Sequence, residues 1–238
     1  MIPWLQNSSD PFPSVDEALV DPNGLLAAGG GLTKQRLISA YRSGIFPWYS
    51  PGEPVLWWSP DPRCVLIPDQ LHVSRSMRKR LKRKDYEVCF DRNFPAVIEA
   101  CSEPRGDEEG TWITREMKQA YCSLHEQGLA HSIEVYIDNQ LVGGLYGIAM
   151  GKLFFGESMF SRSRDASKIA FIKMVEQLRN WGYVLIDCQV SNDHLFSLGA
   201  TEIARDEFMS YLDQYRDVPI NHSWLFEEEA VKLESVSD

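Results

Sequence analysis

The stretch that decides the fold is IEVYIDNQLVGGLYGIAMGKLFFGESMF, residues 133–160. Within it, Ile133–Ile137 and Leu141–Met150 alternate between apolar and other residues, which is the period of a β-strand. An Asp-Asn pair supplies the turn between these two strands, and Gly151 begins a second turn into Leu153–Phe160. The pattern therefore predicts three consecutive strands.

A helix and a fourth strand are predicted after these three. Asp165–Trp181 places apolar residues at helical spacing and ends at Gly182. Tyr183–Val190, with the sequence YVLIDCQV, has the apolar character of a buried strand. Strands followed by a helix and another strand favour a mixed α/β or α+β domain with a partly antiparallel sheet.

The residues before this domain differ from it in composition. Residues 1–32 are rich in Pro, Gly and Ser, and we expect loops there. Phe46–Arg63 contains five prolines, which exclude a long helix, and three of the seven tryptophans. We therefore predict a small N-terminal domain at 1–63 and a second domain at 64–238. The other predicted elements are helices at Thr33–Ser43, Ser74–Lys84, Thr114–Gln127 and Asn192–Leu198, and a strand at Tyr86–Phe90.

Composition restricts the class of protein. The five cysteines are odd in number and never spaced as CxxC, which argues against a disulfide framework and against a zinc site and fits a reducing cytosol. No stretch approaches the roughly 20 apolar residues of a membrane helix, and the N-terminus lacks the pattern of a secretory signal. The histidines show no ligand spacing. We expect a cytoplasmic protein without a metal and without a membrane partner.

One segment, RSMRKRLKRK at 75–84, concentrates positive charge in a chain whose formal net charge is −10. As a helix it sets like charges four residues apart, and each such pair costs roughly 0.2–0.5 kcal/mol. Phosphates of a nucleic acid would replace this repulsion with attraction. The alternative is a solvated face that pairs with acidic residues from elsewhere in the chain. The candidate phosphate-binding residues are Arg75, Arg78, Lys79, Arg80, Lys82, Arg83 and Lys84.

The net charge of the chain favours one class of partner for this segment. An acidic protein with one localised basic patch suits a compact RNA and a second, basic partner better than genomic DNA. Aromatic side chains could stack on bases of such an RNA, with simple packing as the alternative. The candidates are Trp48, Tyr49, Trp57, Trp58 and Trp112.

Polar side chains inside apolar strands are the candidates for chemistry. Asp187 and Gln189 are two residues apart in the predicted strand, so they share a face. They could satisfy each other and nearby loop amides, or they could orient an amine nucleophile and take up its proton. Glu157, in FFGESMF, is a third polar group in an apolar run.

Several long segments together resemble one family, the leucyl/phenylalanyl-tRNA–protein transferases, from about residue 13 to residue 212. The segments are PNGLLAAGGGL, FPWYSPGEPVLWWSPDPR, EEGTWIT, HSIEVY, LVGGLYG, FFGESMFS, ASK and LIDCQVSNDHLFSLGA. The resemblance implies an α+β fold, in which a small N-terminal domain precedes a GNAT-type acyltransferase domain with a central mixed, mostly antiparallel sheet.

The resemblance also implies an activity. The family transfers leucine or phenylalanine, and less readily methionine, from aminoacyl-tRNA to an N-terminal Arg or Lys of a protein, which marks that protein for degradation by the N-end rule. It uses no metal, no acyl-CoA and no other cofactor. We accordingly expect aminoacyl-tRNA and a protein or peptide with N-terminal Arg or Lys as partners, and a monomer.

Site roles follow from the same resemblance. Trp48 and Trp112 match the tryptophans that hold the terminal adenosine of the tRNA. Glu157 and Asp187 match the acidic groups near the reacting centre, and Asp187, with Gln189 beside it, is expected to orient the acceptor amine and assist removal of its proton. The basic helix would grip the acceptor stem by its backbone. The apolar amino-acid pocket falls at Leu145, Phe154, Met159, Phe171 and Met174.

Two alternative functions are an acyl-CoA-dependent acetyltransferase and a non-catalytic RNA-binding protein. A GNAT acetyltransferase that uses acyl-CoA would need a Gly-rich pyrophosphate loop, and SRSRDAS at 161–167 is a poor substitute. A non-catalytic RNA-binding protein would bind RNA without transferring an amino acid.

Overall fold

In the computed structural model, which describes residues 2–83, 85–104 and 111–226, the chain forms two β-sheets. The smaller sheet has four strands in the order β1-β2-β4-β3. β1 and β2 are parallel, and the other two pairs are antiparallel. These strands are β1 (Trp4–Leu5), β2 (Leu25–Gly29), β3 (Phe46–Pro47) and β4 (Leu56–Trp58).

The larger sheet has seven strands in the order β11-β5-β10-β9-β8-β7-β6. Only β9 and β10 run parallel among the described pairs of this sheet, so the predicted mixed, mostly antiparallel sheet is confirmed. Its strands are β5 (Arg63–Leu66), β6 (Glu87–Phe90), β7 (Ala130–Ile137), β8 (Gln140–Met150), β9 (Leu153–Ser161), β10 (Leu185–Gln189) and β11 (Thr201–Ile203).

Most helices begin at a side-chain cap. Ser, Thr or Asn precedes α1 to α4 and α6 and accepts a hydrogen bond from the first turn, which satisfies an otherwise free backbone N–H. The helices are α1 (Lys34–Arg42), α2 (Arg75–Leu81), α3 (Phe94–Cys101), α4 (Arg115–His125), α5 (Ala166–Asn180), α6 (Asp193–Ser197) and α7 (Arg205–Tyr215). Two short 3-10 helices span Val15–Glu17 and Pro68–Gln70.

The large sheet separates two cores because successive strand residues face opposite sides. Phe155 belongs to the core that contains α1, α3 and α4, whereas Phe154 belongs to the core that contains α5. Tyr146 and Leu145 of β8 divide in the same way. The first core also includes the small sheet, so the N-terminal residues pack directly on the larger sheet.

The strands and helices predicted from residue 33 onward are confirmed, with ends that differ by a few residues. The prediction of loops throughout 1–32 is wrong, because Trp4–Leu5 and Leu25–Gly29 form strands. The helix Phe94–Cys101 was not predicted, although Asn93 caps it and a proline lies in its first turn. The division at residue 63 stays a prediction. None of the helices in the described ranges combines the length and the apolar character that crossing a bilayer needs.

The last described segment, 220–226, packs against the core on the α5 side of the sheet. Trp224 stacks on His131 with ring centroids 3.7 Å apart, and Phe226 stacks on Phe90 at 5.4 Å. The sequence pattern assigned this segment no structure. Its aromatic side chains cover apolar surface that β6 and β7 would otherwise expose.

Two strand glycines offer a matched test of the packing. A Cβ on Gly147 would lie 2.2 Å from the carbonyl oxygen of Phe155 and 2.6 Å from the Phe154 ring. A Cβ on Gly156 would meet only the carbonyl oxygen of Asp187, at 3.6 Å. We predict that Gly147→Ala lowers the free energy of unfolding by about 1–3 kcal/mol or more, because the backbone of β9 must shift.

Urea denaturation followed by tryptophan fluorescence measures this loss. Gly156→Ala is the control and should remain within about 0.5 kcal/mol of the parent protein. Equal stability of the two variants would contradict the close approach of β8 and β9.

Candidate active site

A cavity of about 650 Å³ lies where β9 and β10 cease to pair. The parallel register ends at Phe155 and Asp187, although both strands continue beyond those residues. The residues of β9 and β10 that line the opening are Gly156, Glu157, Ser158, Met159, Ile186, Cys188 and Gln189. Residues from both faces of the sheet reach the cavity, so it connects to both cores.

Two β-bulges shape this opening. In β9, Ser158 pairs with Tyr146 and Gly156 with Gly147, which leaves Glu157 as the extra residue. In β10 the register against β5 skips Cys188, and Gln189 takes a left-handed φ of 63°. Bulges re-aim side chains and commonly lie beside active sites. Here they bring the Gln189 amide and the Glu157 carboxyl group within 2.9 Å of each other.

Glu157 is held by three donors. Tyr41 of α1 donates to Oε1 at 2.7 Å, Tyr121 of α4 donates to Oε2 at 2.8 Å, and Gln189 Nε2 donates to Oε1. Burial raises the pKa of Glu157 to about 7, although these hydrogen bonds oppose the shift. Burial and the neighbouring Glu157 also raise the pKa of both tyrosines well above the usual range.

The number of hydrogens available to this cluster also favours a protonated Glu157. The hydroxyl oxygens of Tyr41 and Tyr121 are 2.5 Å apart, and each also contacts Glu157. Three such contacts need three hydrogens, but the two hydroxyl groups supply only two. A proton on Glu157 supplies the third, and one of the two tyrosines then accepts from the carboxyl group instead of donating to it. The cluster therefore favours a neutral Glu157 and can release or take up one proton near neutrality.

Asp187 lies behind the cavity and pairs with Arg63. Arg63 Nε and Nη2 donate to the two carboxylate oxygens at 2.8 and 2.7 Å, and the side chains are only 1% and 0% exposed. The Arg63 guanidinium also lies over the rings of Phe46 and Phe208. Asp187 Oδ1 accepts the backbone N–H of Gln189 at 2.9 Å. Asp187 therefore fixes the bulged backbone of Gln189 and does not line the cavity.

The two predicted adenosine-binding tryptophans both line the cavity. Trp48 is 46% exposed, and its carbonyl oxygen accepts the indole N–H of Trp58 at 2.6 Å. Trp57 is fully buried and donates to the carbonyl oxygen of Gly29, so it is a packing residue. Tyr49 is also buried.

Four of the five residues predicted to form the amino-acid pocket line the same cavity. Leu145, Met159, Phe171 and Met174 all line the cavity. Phe154 is not among these lining residues; its ring is fully buried in the same α5-side core, beside Gly147, and its place in the pocket stays a prediction. The bulge at Glu157, where the side-chain direction of β9 changes, lies three residues beyond Phe154.

The predicted basic helix is α2. Met77 anchors it in the core, and Arg75, Arg78, Lys79, Lys82 and Arg83 are exposed around it. Arg80 pairs with Asp85. None of the carboxylates that the structure describes pairs with the five exposed cations. Lys84 lies outside the described residues.

Sequence reasoning missed several residues of the site. Tyr41 and Tyr121, which contact Glu157, lie in predicted helices without any motif. Asp193 and His194 line the cavity. Within the ranges described, no group of three or more His, Cys, Asp or Glu side chains is placed to hold a metal ion.

Fold and site together define an α+β protein whose apolar cavity ends at a hydrogen-bonded acid. A family model for leucyl/phenylalanyl-tRNA protein transferase matches residues 65–213, and the model for the N-terminal domain of that transferase matches 30–61. The chain belongs to the leucyl/phenylalanyl-tRNA–protein transferase family.

Named relatives agree with the family models. The chain is 59% identical over 225 residues to a leucyl/phenylalanyl-tRNA–protein transferase of Pseudomonas putida, covering 94% of this chain and 100% of that protein. The transferase of Pseudomonas aeruginosa is 59% identical over 92% of this chain and 97% of its own. The structure of L-PGS from Bacillus licheniformis aligns with a TM-score of 0.40 and 12% identity, over 79% of this chain and 59% of that chain, a likeness that carries no argument.

The buried ion pair yields one prediction. Arg63→Met leaves Asp187 charged and unpaired, and we expect it to lower the free energy of unfolding by about 3–5 kcal/mol. Combining it with Asp187→Leu should recover most of that loss, because no buried charge then remains. Urea denaturation of the two single variants and the double variant gives the coupling energy.

The matched control is the exposed pair Arg42–Asp217, whose side chains are 43% and 64% exposed. Arg42→Met should cost no more than about 1 kcal/mol. A similar cost for Arg42→Met and Arg63→Met would contradict the assignment of a desolvated pair.

The raised pKa of Glu157 yields a second prediction. Between its ordinary value of 4.5 and about 7, the folded chain retains a proton that the unfolded chain has released. The free energy of unfolding therefore falls as pH rises through this window, by less than about 3 kcal/mol, because the group is partly open to the cavity. Glu157→Gln should remove this decline.

Thermal unfolding of both proteins from pH 5 to pH 8 measures the difference between them. Glu207→Gln, at an exposed position of α7, should keep the parent profile. Parallel profiles for the parent protein and Glu157→Gln would rule out a carboxyl group that titrates near neutrality.

Proposed function

We propose that this chain transfers leucine or phenylalanine from aminoacyl-tRNA to the α-amine of an N-terminal Arg or Lys of a protein, which marks that protein for N-end-rule degradation. Family membership supports the reaction class. The observation that carries the proposal is the cavity itself, in which apolar side chains lead to the Glu157–Tyr41–Tyr121–Gln189 cluster. An apolar amino acid and a reacting amine need those two environments.

The donor occupies the apolar part of the cavity. Trp48 and Trp112 hold the terminal adenosine by stacking, which is worth roughly 1–3 kcal/mol per base. The amino-acid side chain lies among Leu145, Met159, Phe171 and Met174. Flexible Met and Phe side chains accept several shapes, and one methylene changes binding by only about 1–3 kcal/mol. Leucine, phenylalanine and, less readily, methionine are the expected substrates.

The reaction is an aminolysis of an ester. The nitrogen of the acceptor forms a bond to the ester carbonyl carbon, the bond from that carbon to the ribose oxygen breaks, and the proton lost by nitrogen ends on the ribose oxygen. An α-amine has a reference pKa of about 7.7–8.0, so a neutral fraction is present at neutral pH. Holding the two substrates together supplies about 7–11 kcal/mol of the rate enhancement.

Glu157 moves the proton. Its pKa of about 7 lets the carboxylate accept a proton from the attacking amine and return it to the leaving oxygen. Gln189 holds Oε1 in place, and the two tyrosines stabilise both charge states through their hydroxyl groups. Asp187 acts through Gln189 and is a positioning residue, since its own oxygens are occupied by Arg63.

The remaining parts of the proposal concern architecture and location. The domain at 64–238 has the GNAT-type acyltransferase fold, supported by the mixed sheet with its single described parallel pair beside the cavity. A boundary near residue 63 is supported by the change of sheet, because the last strand of the small sheet ends at Trp58 and the large sheet begins at Arg63. A charged tRNA as donor supports a cytoplasmic location, and we further propose that the protein acts as a monomer and needs no cofactor.

An acyl-CoA enzyme is the competing reaction class. Binding the CoA pyrophosphate calls for cations or a Gly-rich loop near the reacting group. No Lys or Arg is among the described residues that line the cavity, whereas α2 and the two residues after it carry five exposed cations. This distribution favours a donor whose phosphates extend along the protein surface.

The basic helix gives a quantitative prediction. Replacing Arg78, Lys79, Lys82 and Arg83 with glutamine should weaken binding of aminoacyl-tRNA. It should also flatten the plot of log binding constant against log salt by up to about 0.9 for each phosphate that is no longer neutralised. Filter binding at several salt concentrations measures both quantities. The control replaces four other cations, Arg42, Arg92, Lys118 and Arg179, so that net charge changes equally. An identical effect of both sets would refute a specific role for α2.

The activity itself is tested by incorporation of labelled leucine. Leucyl-tRNA and a peptide that begins with Arg should give a labelled peptide, and a peptide blocked by N-terminal acetylation should not, because its nitrogen is no longer a nucleophile. RNase treatment of the donor should abolish transfer, and acetyl-CoA should not replace the donor. Transfer that survives RNase, or RNA binding without any labelled peptide, would overturn the proposal.

A further inference from the structure

Recognition of the acceptor requires a free negative charge in the cavity. The proposed acceptor carries a cationic Arg or Lys side chain beside its reacting amine, and a cation in a largely apolar cavity needs a carboxylate partner. Asp187 is closed off by Arg63. Glu157 is bound by three donors and favours its neutral form. Neither carboxyl group is free to bind a second cation.

Asp193 is the other carboxylate among the described lining residues. It is exposed, and no cation or hydrogen-bond donor in the described ranges engages its side chain. Within the same ranges, no Lys or Arg lines the cavity. The full charge of Asp193 is therefore available to a ligand.

The local fold fixes the position of Asp193. It is the first residue of α6, where the Asn192 side chain accepts the backbone N–H of Leu195 at 2.9 Å. Leu195 is buried and anchors the helix in the core. Asp193 follows Gln189 by four positions, so their Cα atoms lie within about 14 Å of each other. Because Glu157 and Asp193 line the same cavity, a long cationic side chain can extend toward Asp193 while its α-amine stays near Glu157.

We propose that Asp193 is the residue that selects acceptors with N-terminal Arg or Lys, by binding the cationic side chain at the rim of the cavity. The inference rests on the proposed function. It gives different roles to Glu157 and Asp193, the two carboxyl groups among the described residues that line the cavity. Glu157 handles the proton of the reacting amine, and Asp193 binds the fixed charge at the far end of the same residue's side chain.

Acceptor kinetics with three peptides test this role. The peptides begin with Arg, with Lys, or with citrulline, which has the shape of Arg without its charge. Asp193→Asn should raise KM for the Arg and Lys peptides about tenfold or more and leave kcat within about twofold. KM for the citrulline peptide should not change. Asp206→Asn, at an exposed position outside the cavity, should behave as the parent protein.

Each outcome has a distinct meaning. Unchanged KM for the Arg peptide, or equal changes for Arg and citrulline peptides, would overturn the role of Asp193. A rise in KM for aminoacyl-tRNA instead would assign Asp193 to the amine of the donor and would equally overturn it. Failure of the parent protein to label any peptide would refute the proposed function rather than this inference. Thermal unfolding of Asp193→Asn establishes that the variant is folded.

Discussion

The site depends on a carboxyl group that is kept partly desolvated and surrounded by hydrogen-bond partners. Glu157 reaches this position because a bulge places it out of register in β9. Tyr41 and Tyr121 then contact it from α1 and α4. A carboxylate in this setting is costly in its charged form, so its pKa rises to the range in which it can exchange protons at neutral pH. The apolar cavity, the bulges and the buried tyrosines together set the pKa of Glu157.

The N-terminal part of the chain completes the site. Tyr41 lies on α1, Trp48 follows β3, and Arg63 begins β5. Arg63 reaches Asp187 across 124 residues of sequence and so ties β5 to the bulge of β10. A change that disturbs this ion pair also disturbs the backbone of Gln189, and through Gln189 the hydrogen bond to Glu157. Stability of the fold and geometry of the site are therefore coupled.

Local signals in the sequence predict most of the large sheet. Alternation and turn residues define β7, β8 and β9, and the polar residues Glu157 and Gln189 stand out in apolar strands. The partners of those residues could not be predicted, because Tyr41 and Tyr121 meet across 80 residues and no local pattern encodes that contact. The bulge at Glu157 could not be predicted either, because the strand period does not show where an extra residue interrupts the register. Within 1–32, β2 pairs with the distant β4 and β1 pairs with β2, contacts that composition does not encode, so composition predicted loops.

The protonation state of Glu157 is the most direct test of this account. Infrared difference spectra of the parent protein against Glu157→Gln isolate the carbonyl stretch of that one carboxylic acid. We predict a protonated band at pH 6 that disappears with a midpoint near pH 7. A carboxylate that is already ionised at pH 5, with no protonated band in the difference spectrum, would contradict the account.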